Sequence, residues 1–258
     1  MPEGDTVYRT AKNLNAAIAG SVLTRCDIRV PAFATVDLSG ELVHDVSSRG
    51  KHLLMRIGDH TIHSHLKMEG SWHLYRHGTK WRRPAHSARA VLETADWVAV
   101  GYSLGVVEVV ATDDEESIVG YLGPDLLGPD WDADEAQRRM MADPERPIGL
   151  ALLDQRVLAG LGNVYRNELC FLRGILPTRP AGQVDDPRRL IALAYSLIHA
   201  NKDRVERTTT GTLRGATDWV HGRRGKPCLR CGTPIREGLL GETVLQERET
   251  FWCPRCQT

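Results

Sequence analysis

Four cysteines near the C-terminus carry the clearest chemistry in this sequence. Cys228-Leu-Arg-Cys231 and Cys253-Pro-Arg-Cys256 are two CxxC knuckles with 21 residues between them. Paired knuckles at ribbon spacing suit a tetrahedral shell of four thiolates around one structural Zn2+ ion. Such a closed shell leaves no position for water, so the metal is expected to fold a hairpin rather than act on a substrate. A dithiol redox switch would need only one CxxC, in a βαβ context that is missing here. At the opposite end, Pro2 follows the initiator Met1. With Met1 removed, Pro2 presents a secondary amine with a pKa near the α-amino value of about 7.7–8, below the ~10.4 of lysine. Its neutral fraction can attack an aldehydic carbon and form an iminium, the covalent logic of Schiff-base lysines. Glu3 beside it can supply or take the protons that such a step needs. Taken alone, a Met-Pro start is common and assigns nothing.

The elements that must position these groups fall into two halves. After the first four residues the pattern predicts a helix. Asp5 reads as its N-cap, Val7, Ala11, Leu14 and Ile18 recur at helical spacing, and Gly20 ends it. Short strands follow. Residues 24–30 alternate apolar and polar up to Pro31, and further strands are predicted at 53–57, 61–65, 88–93, 97–102 and 106–110. Short strands without intervening helices imply an antiparallel sandwich or barrel. The two Gly-Pro-Asp units in 122–130 make a stiff, turn-rich connector. Beyond it the pattern becomes helical, at 133–141, 148–153, 163–172 and 187–199, with a glycine-bearing turn at Ala159-Gly-Leu-Gly-Asn163. The expected architecture is therefore α+β and multidomain: an N-terminal helix plus antiparallel β-sandwich (1–115), a linker (116–131), a helical domain (132–222) and a four-cysteine zinc-finger hairpin (223–258).

Bulk properties bound the function less sharply. A chain of 258 residues can bury two modest cores, and no apolar stretch approaches the ~20 residues of a membrane span. The opening residues lack the features of a secretory signal, so a cytoplasmic protein with no membrane association is expected. Net charge is zero, which argues mildly against nucleic acid, yet the charges are segregated. Acids dominate from Glu108 to Glu145. From Lys202 to Arg230 eight bases, including Arg207, Arg214, Arg223 and Arg224, face three acids. A polyanion binder with one working face needs such segregation, and a merely solvated surface fits it equally well. Cys26 and Cys170 read as buried small apolar residues. His63 and His65 lack a third metal ligand and are expected to pack and hydrogen-bond.

Read in order, Pro2-Glu3-Gly4, Arg49-Gly50-Lys51, Leu122-Gly-Pro-Asp125, the segment Leu152–Asn163 and the terminal four-cysteine ribbon resemble the formamidopyrimidine-DNA glycosylase/endonuclease VIII family over essentially the whole chain. The likeness is greatest to the endonuclease VIII branch in its actinobacterial form. It implies a monomeric base-excision-repair enzyme acting on damaged DNA, a bifunctional glycosylase and AP lyase cleaving by β/δ-elimination. The damaged nucleotide would be flipped out of the duplex, because the glycosidic carbon is shielded in the stack. By the same resemblance Pro2 attacks C1′, Glu3 assists ring opening and proton transfer, and Lys51 contacts a flanking phosphate. Ala159–Asn163 corresponds to the family's helix–two-turn–helix, where glycines admit a phosphate to a helix N-terminus and Asn163 adds a hydrogen bond. Arg248, five residues before Cys253, corresponds to the finger arginine that clamps a phosphate. Lys67 and Met68, in His65-Leu-Lys-Met-Glu-Gly70, align with the loop that fills the hole left by the flipped base.

Three departures from the family pattern stand out. Asp5 and Thr6 occupy positions where relatives commonly carry proline and glutamate, so the second acid of the pocket is missing unless Asp5 supplies it. The Cys231–Cys253 interval is longer by several residues, around Glu237–Gly241, which predicts a longer hairpin. The stretch between Thr208–Arg214 and Val220–Arg223 is short, which favours oxidised pyrimidines over purines. Two other readings share the motifs: a lesion or single-strand binder without catalysis, and a zinc-ribbon interaction protein with no nucleic-acid role.

Overall fold

A computed structural model describes residues 2–258, and the chain divides into two compact units after Tyr121. The first unit begins with α1 (Gly4–Ile18), followed by β1 (Arg25–Ile28), β2 (Val43–Arg49), β3 (His52–Ile57), β4 (His60–His65), β5 (Ser71–Tyr75), β6 (Ala88–Glu93), β7 (Val98–Tyr102) and β8 (Val106–Ala111). All strand pairs are antiparallel, in two four-stranded sheets of order β1-β6-β7-β5 and β2-β3-β4-β8. One core joins them. Val7, Ala11, Leu14 and Ile18 of α1 pack with Val43, Val46, Leu53, Met55, Ile57 and Ile62 of one sheet and with Ile28, Leu92 and Ala99 of the other. The sandwich is thus closed partly by the helical stripe of α1, at about 25 cal/mol for each Å² of apolar surface removed from water.

Two strands have no expected counterpart, for different reasons. β2 reads as polar because a register shift between Val43 and Asp45 puts its buried residues, Val43 and Val46, three apart. The alternation on which strand recognition depends is lost there. β5 is mostly half-buried, so its Ser-Trp-His-Leu-Tyr sequence carries little contrast. At the N-terminus the cap is Glu3, not Asp5. The Glu3 carbonyl accepts from the N–H groups of Thr6 and Val7 at 3.0 and 3.1 Å, and the helix begins one residue before Asp5. Asp5 sits buried in the first turn, its Oδ1 accepting from Thr6 N–H at 2.7 Å. A carboxylate there still complements the positive end of the helix.

Residues 116–131 do not form a free connector. Glu116–Val119 is a short helix (α2) of the first unit. Leu122, Asp125 and Leu126 are buried in the second, where Ala159 N–H donates to the Pro124 carbonyl at 2.9 Å. The second unit then contains α3 (Ala133–Met140), α4 (Ile148–Ala151), α5 (Asn163–Arg173) and α6 (Pro187–Asn201). Asp132 caps α3 through Oδ1, accepting from Asp134 and Glu135 N–H. Asp186 caps α6, with Pro187 in its first turn, and Gly174 ends α5 at φ 69°. A hairpin of β9 (Arg236–Leu240) and β10 (Arg248–Trp252) completes the unit. Among the described residues no helix is long and apolar enough to cross a membrane.

Candidate active site

One end of the sandwich gathers several of the candidate residues. The C-terminal end of α1 is fixed at Val43, whose carbonyl accepts from Gly20 N–H at 2.8 Å, and Asn15 Oδ1 accepts from Val46 N–H at 2.8 Å. From there the helix runs back along β2 toward Arg49. Its ~16 Å from Asn15 to Gly4 exceed the ~10 Å from Val46 to Arg49, so Pro2 and Glu3 reach the end where the chain turns from β2 into β3. That two-residue turn is Gly50-Lys51, with Gly50 at φ 57°. Pro2 is half-buried and Glu3 fully buried. His52 pairs with His65 across β3 and β4, so the loop that leaves β4 opens at the same end. Lys67 in that loop has φ 53°, and its N–H donates to His65 Nδ1 at 2.9 Å. A left-handed lysine costs on the order of 1–3 kcal/mol, held here by surrounding structure. Its stem lies directly over Gly105, where a Cβ would meet Lys67 Cγ at 2.2 Å. Met68 beside it is among the most exposed large apolar residues of the unit.

Behind the lysines stand three histidines, of which sequence reasoning singled out only His63 and His65. His52 Nδ1 lies 2.8 Å from His63 Nε2, and His63 Nδ1 lies 2.9 Å from Glu108 Oε2. His52 Nε2 lies 3.1 Å from the Tyr121 hydroxyl. His52 follows Lys51 directly, and the pairings His52↔His65 and His63↔Glu108 put these side chains on one sheet face. That register was the missing signal. Burial, then the charges of His63, His65, Lys67 and Lys51, push the His52 ring down to about 3. Burial first and the two lysines next push His65 down to about 4. Both rings are therefore neutral at pH 7. Because the unfolded chain protonates these rings near 6.5, it binds more protons than the folded chain as pH falls toward 4. Stability is accordingly retained above pH ~6.5 and lost below it, with His52 alone contributing a loss of about 2 kcal/mol at pH 5. Urea midpoints measured at pH 7 and pH 5 check this, and His52→Phe should shrink the difference between them.

In the second unit, polar side chains on α5 hold the hairpin. Asn163 Nδ2 donates to the Glu249 carbonyl at 2.9 Å, Arg166 Nη2 to Thr250 Oγ1 at 2.6 Å, and Asn167 Oδ1 accepts from Phe251 N–H at 3.1 Å. Asn163 thus spends its amide donor on β10, while its buried Oδ1 has no hydrogen-bond partner. Glu168 is fully buried among donors. It accepts from the backbone N–H of Trp219, Val220 and His221 at 2.7–2.9 Å and from the Thr209 hydroxyl. Burial raises its carboxyl and these four donors pull it back, so this cage is built for a carboxylate. It fixes the stretch 208–221 to α5. The preceding turn is shaped by Gln155, which accepts from Gly160 N–H and donates to the Leu161 carbonyl, with Gly160 at φ 109°. In the basic segment Arg204, Arg214, Arg224, Lys226 and Arg230 are exposed. Arg223 is not part of that face: it is buried, its guanidinium donating to the Trp219 and Pro227 carbonyls.

The four knuckle cysteines form the one metal-ligating cluster among the described residues, with all sulfurs within 4.8 Å of one another. Cys231 and Cys253 Sγ are 3.5 Å apart. Tetrahedral Zn–S bonds of ~2.3 Å place sulfurs ~3.8 Å apart, so Cys228, Cys231, Cys253 and Cys256 fit one structural zinc ion. The hairpin above it has a seven-residue connection, 241–247, between its strands. Arg248 opens β10 at this tip, exposed, beside Val244 and Leu245, which are 82% and 93% exposed. The connection is tethered through Arg146, which pairs with both Glu242 and Asp154.

Comparison with known proteins agrees along the whole chain. Residues 1–103 match the formamidopyrimidine-DNA glycosylase N-terminal domain, 122–213 the formamidopyrimidine-DNA glycosylase H2TH domain, and 225–258 the zinc finger found in FPG and IleRS. A Streptomyces coelicolor protein named "Probable endonuclease 8 2" is 54% identical over 261 residues, covering 100% of this chain and 94% of the relative. "DNA-(apurinic or apyrimidinic site) lyase Nei2" of Mycolicibacterium smegmatis is 54% identical over 259 residues, covering 100% and 99%. Among solved structures, MutM in complex with carbocyclic 8-oxo-G containing DNA shares the fold, with a TM-score of 0.82 at 24% identity and full coverage of both chains. Sandwich, two-turn helical domain and cysteine ribbon are the family's three parts in the family's order, and the chain belongs to the formamidopyrimidine-DNA glycosylase family, on the branch of the actinobacterial endonuclease 8 proteins.

Proposed function

We propose that this protein is a bifunctional DNA glycosylase and AP lyase that removes oxidised bases, pyrimidines before purines, through a Pro2 iminium. The observation that carries the reading is the convergence of Pro2, Glu3, Lys51 and Lys67 on one end of the sandwich. The Pro2 amine attacks C1′ of the flipped nucleotide, the C1′–base bond breaks, and buried Glu3 moves a proton as the sugar ring opens. Two lysine ammoniums at the same end favour a phosphate beside the reacting sugar. Met68, exposed on the β4–β5 loop, has the apolar reach to fill the vacated stack. Arg248 at the finger tip clamps a phosphate, and Asn163 acts on DNA indirectly, by holding β10 at the Glu249 carbonyl. The short stretch after Thr208, pinned by Glu168, leaves little chain to cover a purine, which supports pyrimidine lesions.

Relatives bearing the names endonuclease 8 and AP lyase support the same chemistry. The test is borohydride reduction during turnover on duplexes carrying single oxidised pyrimidines, oxidised purines or an abasic site, with mass analysis of the protein N-terminus. A covalent adduct at Pro2, fastest on pyrimidine lesions, is expected. Duplex binding without any adduct would leave only a lesion binder.

A further inference from the structure

Glu108, His63, His52 and Tyr121 form one unbroken line of hydrogen bonds, of 2.9, 2.8 and 3.1 Å from Glu108 to Tyr121. Its polarity follows from the carboxylate end. An ionised Glu108 only accepts, so neutral His63 carries its proton on Nδ1 and offers Nε2 as a lone pair. His52 must then donate through Nδ1 and accept at Nε2, and the Tyr121 hydroxyl donates. The two rings are buried, while the Glu108 side chain is 44% exposed and Tyr121 48% exposed, so the line crosses a buried pair of rings between two ends that both reach solvent. One added proton at the Tyr121 end reverses two of these bonds and breaks none. The tyrosine proton passes to His52 Nε2, the His52 Nδ1 proton passes to His63 Nε2, and the new charge rests on His63 against Glu108. Simple packing of two histidines has no need of a charged anchor at one end and a phenol at the other.

The His52 part of the line stands beside the two lysines of the candidate site. His52 follows Lys51, and Lys51, Lys67 and His65 are the other charged or titratable groups acting on it. Burial and the neighbouring charges hold the His52 ring down to about 3, so it is neutral and able to receive a proton, while burial lowers His63 against the opposing pull of Glu108. We propose that Glu108, His63, His52 and Tyr121 are a proton relay that takes up the C2′ proton of the sugar–Pro2 iminium. This rests on the function proposed above. In the step, the C2′–H bond breaks and its electron pair becomes the C1′–C2′ double bond of an enamine, discharging the iminium nitrogen. The proton lands on Tyr121 Oη as the phenol's own proton moves inward, so one positive charge travels from the sugar to His63. The enamine then expels the 3′-phosphate from C3′ and becomes a conjugated iminium. Tyr121 is the member of the relay that receives the proton; His52, His63 and Glu108 act through it.

The test separates adduct formation from strand cleavage on an abasic-site duplex under single-turnover conditions. Tyr121→Phe and Glu108→Gln, both at partly exposed positions, should form the borohydride-trapped adduct within twofold of the wild-type rate. Their strand cleavage should be about a hundredfold slower, the low end of the ~10²–10⁴-fold that general acid–base groups contribute. The wild-type cleavage rate should also show a curved dependence on deuterium fraction, from several protons moving together, which becomes linear in Tyr121→Phe. A structural role would not move that curvature. Cleavage within twofold of wild type, an unchanged curvature, or parallel loss of adduct and cleavage would each overturn the relay. Failure of the wild-type protein to form any adduct would instead overturn the Pro2 reading.

Discussion

Pro2→Gly is expected to lower borohydride-trapped adduct at least a hundredfold on lesion-containing duplex, with duplex binding held within a fewfold. A secondary amine condensed with an aldehyde gives an iminium that cannot shed its charge by losing an N–H proton. Glycine supplies a primary amine whose imine is neutral for much of the time and is a weaker electron sink. It also frees the backbone at a position where the proline ring fixes φ. Both losses fall on chemistry rather than on the fold, because α1 starts at Gly4 and is capped by the Glu3 carbonyl, which the substitution leaves in place. A twentyfold loss corresponds to under 2 kcal/mol of barrier, and a hundredfold loss to about 2.7 kcal/mol. Full trapping by the Pro2→Gly protein, with the adduct mapped by mass analysis to a residue other than the N-terminal one, would show that another amine is the nucleophile.

Removal of zinc is the second large effect. Structural Zn2+ contributes about 10–16 kcal/mol to small four-ligand domains, since the site does not persist in the unfolded chain. Here Cys228 and Cys253 are also part of a small core with Phe171, Val220, Ile235 and Phe251, so the ligands and the packing are lost together. Cys253→Ser, or a strong chelator, should release one zinc per chain. It should also lower the melting temperature of the helical unit by about 10 °C or more and weaken duplex binding at least tenfold. The loss reaches α5, because Asn163, Arg166 and Asn167 have partners on β10 that exist only while the hairpin is folded. Zinc release by a chromogenic chelator, followed in parallel with melting, checks the stoichiometry and the coupling. Unchanged melting after complete release would show that the hairpin folds without its metal.

The two ends of the chain were the most legible parts of the sequence. CxxC spacing names its own chemistry, and the stripe Val7, Ala11, Leu14, Ile18 names its own face. Strands with clear alternation were found to within a residue or two. β2 escaped because a bulge removed its period, and the first-turn position of Asp5 escaped because a backbone carbonyl, not a side chain, does the capping. The helix α2 and the burial of Leu122 and Leu126 were hidden behind Gly-Pro-Asp turns that read as a connector. In the site, Lys51 was visible through its motif, whereas the hydrogen-bond line through His52 depends on strand register. A histidine beside a lysine says nothing until Glu108, more than fifty residues later, is known to lie on the same face. Asn163 shows the opposite difficulty. Its place at the helix start was readable, but its attachment to Glu249 is a long-range contact that local pattern does not encode.

Gly105 and Lys67 illustrate how the loop beside the reactive end is constrained. The lysine stem occupies the volume that any side chain at position 105 would need, and its own left-handed backbone leaves it few other places to go. The two positions therefore form a single heritable unit. An alanine at 105 is in effect a second mutation at 67, and a chain that changes one residue must find a compatible partner at the other before its loop can take the same course.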